Sequence, residues 1–215
     1  MRRDPGLEAE RACWDRGLRR VAGVDEAGLG ALCAPVIAAA VILHPEAEPI
    51  AGVRDSKQLS RVRRDALAER IREEALAVGV GAASVAEIER LNVRRASHLA
   101  MRRALARLGG WDHLLVDGSP IAGFEAEVGP YRAIVGGDAS SVSIACASIL
   151  AKVTRDRLMD RLALRYPGYG WERNAGYGTG DHLAALAAIG PSPFHRRGFG
   201  PVRELLDGRQ LGLDL

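Results

Sequence analysis

The stretch VAGVDEAGLGALCAPVIAAAVIL, Val21 to Leu43, is almost entirely apolar or small, yet it carries two adjacent carboxylates, Asp25 and Glu26. Apolar runs bounded by turn residues are the pattern of buried strands. One such strand begins at Val21 and runs into the acids, and a second covers Pro35 to Leu43. A chain that sets carboxylates between two core strands needs something to neutralise them.

Two later segments repeat the arrangement. HLLVDG and YRAIVGGD read as short strands, each ending in an aspartate, Asp117 and Asp138. Asp25, Glu26, Asp117 and Asp138 thus all fall at strand ends, beside glycine or another small residue. A single such acid is ordinarily a solvated turn residue. Four at equivalent places, brought together by neighbouring strands, would raise one another's pKa unless a cation stood among them. An oxygen-only ligand set favours Mg²⁺ or Mn²⁺ over zinc, and pairs of such ions suit in-line displacement at phosphorus.

The remaining periodicity supplies the frame. Leu7 to Arg20 reads as a helix, and Ser60 caps another whose apolar positions are Val62, Leu67, Ile71, Ala75 and Val78. A third strand is expected over Val78 to Val85, followed by capping-box spacing at Ser84 and Glu87 and helix to about Leu108. Ser141 to Tyr166 forms a long helix, and Asp181 to Ile189 a shorter one. Strands followed by alternating strands and helices define an α/β fold with a mixed central sheet flanked by helices.

A polyanionic substrate also requires cations. The net charge of +3 permits such a partner without demanding it. The 30 basic residues comprise 28 Arg and two Lys, Lys57 and Lys152, a skew that reflects general Arg preference and singles out the lysines. With the glycine turn Gly28, Leu29, Gly30 and the pair Arg196, Arg197, they are the candidate phosphate contacts. His195, Arg196 and Arg197, with Tyr169, Trp171, Tyr177 and Phe199, read either as a basic, aromatic patch for nucleic acid or as a satellite core. Cys13, Cys33 and Cys146 are too few and too far apart for a disulfide framework or a thiolate zinc site. No signal peptide or membrane span is expected, so a cytoplasmic protein is.

The motifs VDEAGLGALCAPVIAAAVIL, DSKQLS, LLVDG, GGDASSVSIACASILAKVTRD and GYGTGDHLAALAAIGPSPFHRRGFGPV together resemble bacterial ribonuclease HII, the type 2 ribonuclease H, from Val21 to about Leu206. The resemblance implies an RNase H-like fold over 21–166 after an N-terminal helical segment 1–20, with a helical C-terminal extension over 167–206 and a tail, 207–215. It implies endonucleolytic hydrolysis of RNA in RNA–DNA hybrids and incision 5′ of ribonucleotides embedded in duplex DNA, as in ribonucleotide excision repair. Asp25, Glu26, Asp117 and Asp138 would be its catalytic and metal-binding acids. Gly28 to Gly30 would sense the ribose 2′-hydroxyl, Tyr177 would pack on the deoxyribose beyond the junction, and Lys57 would contact substrate phosphate, whereas Lys152 can be structural.

Four positions depart from the family pattern: Leu29, Gly136, Ala175 and Gly180 stand where basic residues are common. The short N-terminus favours HII over type HIII, and a monomer is expected. Leu211, Leu213 and Leu215 could dock on a sliding clamp, although a frayed terminus is the simpler expectation. Two rival readings are a hybrid-binding module without efficient catalysis and a junction resolvase of the same fold.

Overall fold

The computed structural model describes residues 4–45 and 48–211. Its sheet has five strands, β1 Val21–Ala27, β2 Val36–Ile42, β3 Ala77–Ala83, β4 His113–Asp117 and β5 Tyr131–Ile134, in the order β3-β2-β1-β4-β5. The β1, β2 and β3 strands pair antiparallel, whereas β4 and β5 add to β1 in parallel. The helices are α1 Glu8–Trp14, α2 Arg61–Glu74, α3 Val85–Leu91, α4 Val93–Leu105, α5 Phe124–Val128, α6 Val142–Arg165, α7 Trp171–Asn174, α8 Gly180–Ile189 and α9 Gly200–Leu211.

Every residue of β2 is buried because both faces of the sheet are covered. Val21, Ile37, Ala39, Val41 and Leu115 face α6 and α2, while Ala22, Val24, Ala38, Ala40, Ile42 and Val116 face α4 and Phe124 of α5. Helix and sheet approach closely where side chains are missing. A Cβ on Gly23 would stand 2.2 Å from the carbonyl carbon of Ser143 in α6, and one on Gly81 would stand 2.2 Å from the Ala100 carbonyl oxygen in α4.

Local signals place most helix ends. Ser60 caps α2, Ser84 and Glu87 form a reciprocal capping box on α3, and Ser141 caps α6. The expected apolar stripe of α2 fails at three positions. Val62 is exposed, Ala75 terminates the helix and Val78 belongs to β3, so the stripe shortens to Leu67 and Ile71. The N-terminal helix is also shorter than expected, and its buried Glu10 accepts hydrogen bonds from the Ser141 and Ser143 hydroxyls and the Ser143 amide. Those bonds tie α1 to the start of α6. Of the three leucines considered for a clamp contact, Leu211 ends α9 and Leu213 and Leu215 lie outside the described residues, and no described helix is long and apolar enough to cross a membrane.

Of the two readings of the C-terminal aromatic residues, the satellite core describes Tyr169, Trp171 and Phe199, whereas Tyr177 is exposed. Tyr169 and Trp171 are buried and stacked, with centroids 4.9 Å apart, and Phe199 is half-buried against Leu32, Leu186 and Val202. Within this core Trp171 Nε1 donates to His182 Nε2 at 3.0 Å, and the His182 and His195 Nε2 atoms are 3.1 Å apart. His195 Nδ1 accepts from the Ser192 amide at 2.9 Å, so its proton sits on Nε2 and points at His182. His182 then carries its proton on Nδ1 and donates to the Tyr177 carbonyl at 2.9 Å. Cys33, His182 and His195 present potential ligand atoms within 4.8 Å of one another, but these hydrogen bonds occupy both imidazoles.

Both imidazoles are therefore neutral. Burial, then the neighbouring His182, pushes His195 down to about 4. A histidine with a depressed folded pKa adds no pH-dependent term above its unfolded value near 6.5 and lowers stability progressively as pH falls from there toward 4, on the order of 3 kcal/mol at the limit. We expect His195→Gln to flatten the acid side of the stability profile. The check is the wild-type-minus-variant difference in urea midpoint between pH 7 and 4, since buried acids contribute an opposite slope common to both proteins.

Candidate active site

The β1–β4 register ends at Val24 opposite Val116, so the next residues, Asp25 and Asp117, stand side by side where the parallel ladder stops. Asp25 and Glu26 are inside β1 rather than at its end, paired on the other edge with Ala39 and Ala38. Alternation sends Asp25 toward α6 and Glu26 toward α4. Asp138 is also displaced from expectation. It lies beyond β5 in a single 3₁₀ turn, Gly137–Ala139, whose Gly137 amide donates to Asp117 Oδ1 at 2.7 Å. The left-handed Gly136, φ 68°, starts that turn, a conformation that a side chain would make costly.

These acids converge on a cleft of about 480 Å³ lined by Asp25, Glu26, Asp117, Gly28, Leu29, Ser56, Lys57, Ser148, Lys152 and Tyr177. Asp138 reaches it through Lys57, whose Nζ is 2.9 Å from Asp138 Oδ2. A second hollow of about 660 Å³ continues from Glu26, Leu29 and Asp117 to Arg94, Arg95 and His98 on α4. Both of the chain's lysines thus line the cleft, including Lys152, for which the sequence left a phosphate contact and a structural role both open.

The electrostatics show strain of like charge. Burial first, then Glu26 and Asp117, raises Asp25 well above the usual carboxylate range, although the Ser148 hydroxyl and the Glu26 amide bond to it. Burial and Asp117 push Glu26 up to about 7 against the pull of Lys57, and burial and Asp138 raise Asp117. For Lys57, partial desolvation opposes the charged form, but Asp138, Asp55 and Asp25 outweigh it and raise the ammonium. One lysine therefore offsets part of the negative charge. The all-oxygen donor set, with excess negative charge at the cleft, fits hard divalent cations, which Asp25, Glu26, Asp117 and Asp138 would hold.

The other expected contacts separate. Gly28, Leu29, Lys57 and Tyr177 line the cleft, whereas Gly30 is exposed and is not among the lining residues. Arg196 is a correction: its side chain is fully buried and bonds to the Leu29 and Ala34 carbonyls, so it supports the glycine turn from behind. Arg197 is exposed, its amide is bonded to Glu89, and it is not among the cleft-lining residues. Sequence reasoning missed Ser56, Ser148, Arg94 and Arg95. The four-residue spacing of Ser148 and Lys152 on one helix was the available signal for Ser148.

A mixed sheet with acids at its parallel seam and two lysines on the wall of the same cleft defines a nuclease of the RNase H-like class. A family model described as Ribonuclease HII matches residues 22–202. The chain is 55% identical to Ribonuclease HII of Synechococcus sp. (strain JA-3-3Ab), covering 95% of this chain and 92% of that one, and 51% identical to the Magnetococcus marinus protein of the same name, covering 94% and 95%. The crystal structure of ribonuclease H2 from Pyrococcus horikoshii OT3 is similar at TM-score 0.75 and 25% identity, over 89% of this chain and 99% of that one. Ribonuclease HIII from Bst, solved with Mn²⁺, shares the fold at TM-score 0.70 and 18% identity over 89% and 70%. The chain belongs to the ribonuclease HII family, endoribonucleases that cleave the RNA strand of RNA–DNA hybrids in a divalent-metal-dependent reaction.

The raised carboxylates carry a signed prediction. An acid whose folded pKa is raised destabilises the fold once pH exceeds its unfolded value, because the ionised form is the one penalised. Glu26→Gln should therefore stabilise the metal-free protein at pH 8 by about 1–3 kcal/mol and far less at pH 4. Thermal melts in EDTA at the two pH values test it; equal shifts at both would contradict the assignment.

Proposed function

We propose that the protein incises duplex DNA 5′ of an embedded ribonucleotide, as well as cleaving RNA in hybrids, leaving 3′-hydroxyl and 5′-phosphate ends. The observation that carries this reading is the placement of Tyr177 and the Gly28–Leu29 turn on the wall of the same cleft as Asp25, Glu26 and Asp117. A 2′-hydroxyl is the group that distinguishes ribose locally, and main-chain groups of a turn can bond to it without a cationic side chain. An aromatic ring beside it can pack on the next sugar.

Mg²⁺ or Mn²⁺ at the acids supplies the charge neutralisation and Lewis acidity that displacement at phosphorus requires. The chain's own groups do the rest. Asp25 and Asp117, adjacent at the seam, supply the central oxygens, and Glu26 and Asp138 flank them. Lys57 and Lys152 hold phosphates near the acids, and Arg94 and Arg95 extend the cationic track along the second hollow. The intact acid set disfavours a binding module, and the 2′-hydroxyl turn has no evident use in a junction resolvase.

Cleavage of a DNA duplex carrying one ribonucleotide, beside an RNA–DNA hybrid, tests the reading. Incision 5′ of the ribonucleotide by wild type and its loss by at least about 10³-fold in Asp117→Asn are expected. Cleavage of the hybrid alone would refute the junction-reading part, and binding without cleavage would favour the module. The departure at Leu29 makes a separate expectation: Leu29→Arg should tighten binding and steepen the dependence of log K on log salt by about 0.9. Fluorescence anisotropy across a salt series measures it, and an unchanged slope would rule out a missing phosphate contact at this position.

A further inference from the structure

Two guanidiniums are buried behind the cleft, neither of them among the residues that line it. Arg155 of α6 and Arg196 of the α8–α9 connection are both completely inaccessible, and among the described residues their hydrogen bonds go only to main-chain carbonyls. Arg155 Nε and Arg196 Nη2 have no hydrogen-bond partner among the described residues. Burying cations this way costs several kcal/mol each. Arg196, pushed down to about 10 by burial and by Arg155, still carries its charge at neutral pH.

The carbonyls they hold are unusual. Arg196 Nε bonds to Ala34 and Arg155 Nη1 bonds to Ala175, and these alanines have left-handed backbone, φ 66° and φ 47°. Left-handed backbone at an alanine costs roughly 1 kcal/mol and needs an external hold. The remaining bonds reach the glycine turn, from Arg196 Nη1 to Leu29 O at 2.9 Å, and its continuation, from Arg155 Nη2 to Cys33 O at 3.1 Å. A Cβ on Gly28 would stand 2.1 Å from Arg155 Nε, so the turn closes directly over that guanidinium. The same guanidinium lies 5.4 Å from the Tyr177 ring centroid. A main-chain bond joins the stretch after the turn to the tyrosine segment, Leu32 N to Gly176 O, and another joins it to the α8–α9 connection, Ala34 N to Phe194 O, each at 2.8 Å.

We infer that Arg155 and Arg196 are positioning residues that clamp the Gly28–Gly30 turn and the Ala175–Tyr177 segment into one rigid unit, so that ribose and the neighbouring sugar are read at a fixed separation. This rests on the junction reading proposed above. The clamp also accounts for Gly28, whose missing Cβ makes room for Arg155 on the side away from the substrate.

A double-variant cycle on the single-ribonucleotide duplex tests it, with Arg155→Lys, Tyr177→Ala and their combination. If Arg155 acts through Tyr177 and the turn, each single variant lowers kcat/KM about tenfold, mainly through KM, and the double variant falls by little more than Tyr177→Ala alone. Multiplicative losses of about a hundredfold would overturn the clamp. So would Arg155→Lys with undiminished kcat/KM. Arg196→Lys runs through the same cycle in case Arg155→Lys unfolds below the assay temperature.

Amide exchange on the free protein gives a readout independent of activity. Either lysine variant should accelerate exchange at Leu32, Ala34 and Tyr177 together, leaving the amides of β2 protected. Acceleration spread evenly over β2 would mean a merely structural role and overturn the inference. A wild type that cleaves neither substrate would fail the functional reading, with the exchange result still deciding the clamp.

Discussion

The structure depends on keeping carboxylates together that repel one another. Asp25 and Asp117 adjoin because parallel pairing of β1 and β4 fixes them there, and the sheet owes that pairing to cores on both faces. Hydrophobic burial is non-directional and strong, so it can hold a few unfavourable charges in place at the rim of a sheet. The stress shows in the upward shifts of Asp25, Glu26 and Asp117. Metal-dependent chemistry is the use such an arrangement supports, because a divalent ion turns the repulsion into ligand affinity.

Much of this was legible in the residues. Continuous apolar runs identified β1 and β2, and capping residues located the starts of α2, α3 and α6. The four acids were visible because each interrupts or closes an apolar segment. The scarcity of lysine pointed to Lys57 and Lys152, both of which line the cleft.

What escaped has a physical reason in each case. Asp138 was placed at a strand end because nothing in YRAIVGGD marks where pairing stops, and only the register shows the strand ending at Ile134. Arg196 was read as a surface cation because most arginines are, and its burial follows from tertiary carbonyls contributed by Leu29 and Ala34. Tyr169 and Trp171 were ambiguous between patch and core, since an aromatic residue carries no sequence sign of which side it faces. The roles of Ser56 and Ser148, whose hydroxyls meet at 3.0 Å, depend on contacts between segments far apart in the chain.

Helix α6 contributes Ser148, which bonds to Asp25, Lys152, which lines the cleft, and Arg155, which grips the turn. Offsets of four and seven residues put all three on one stripe of the helix. On the proposed junction reading, the stripe works as a gauge block, setting the span from the reacting phosphate to the sugar being read by covalent geometry instead of by loop conformation. Inserting a single residue between Ser148 and Arg155 would rotate the two ends by about 100° relative to each other, so the length of this stretch is constrained by phase as well as by volume.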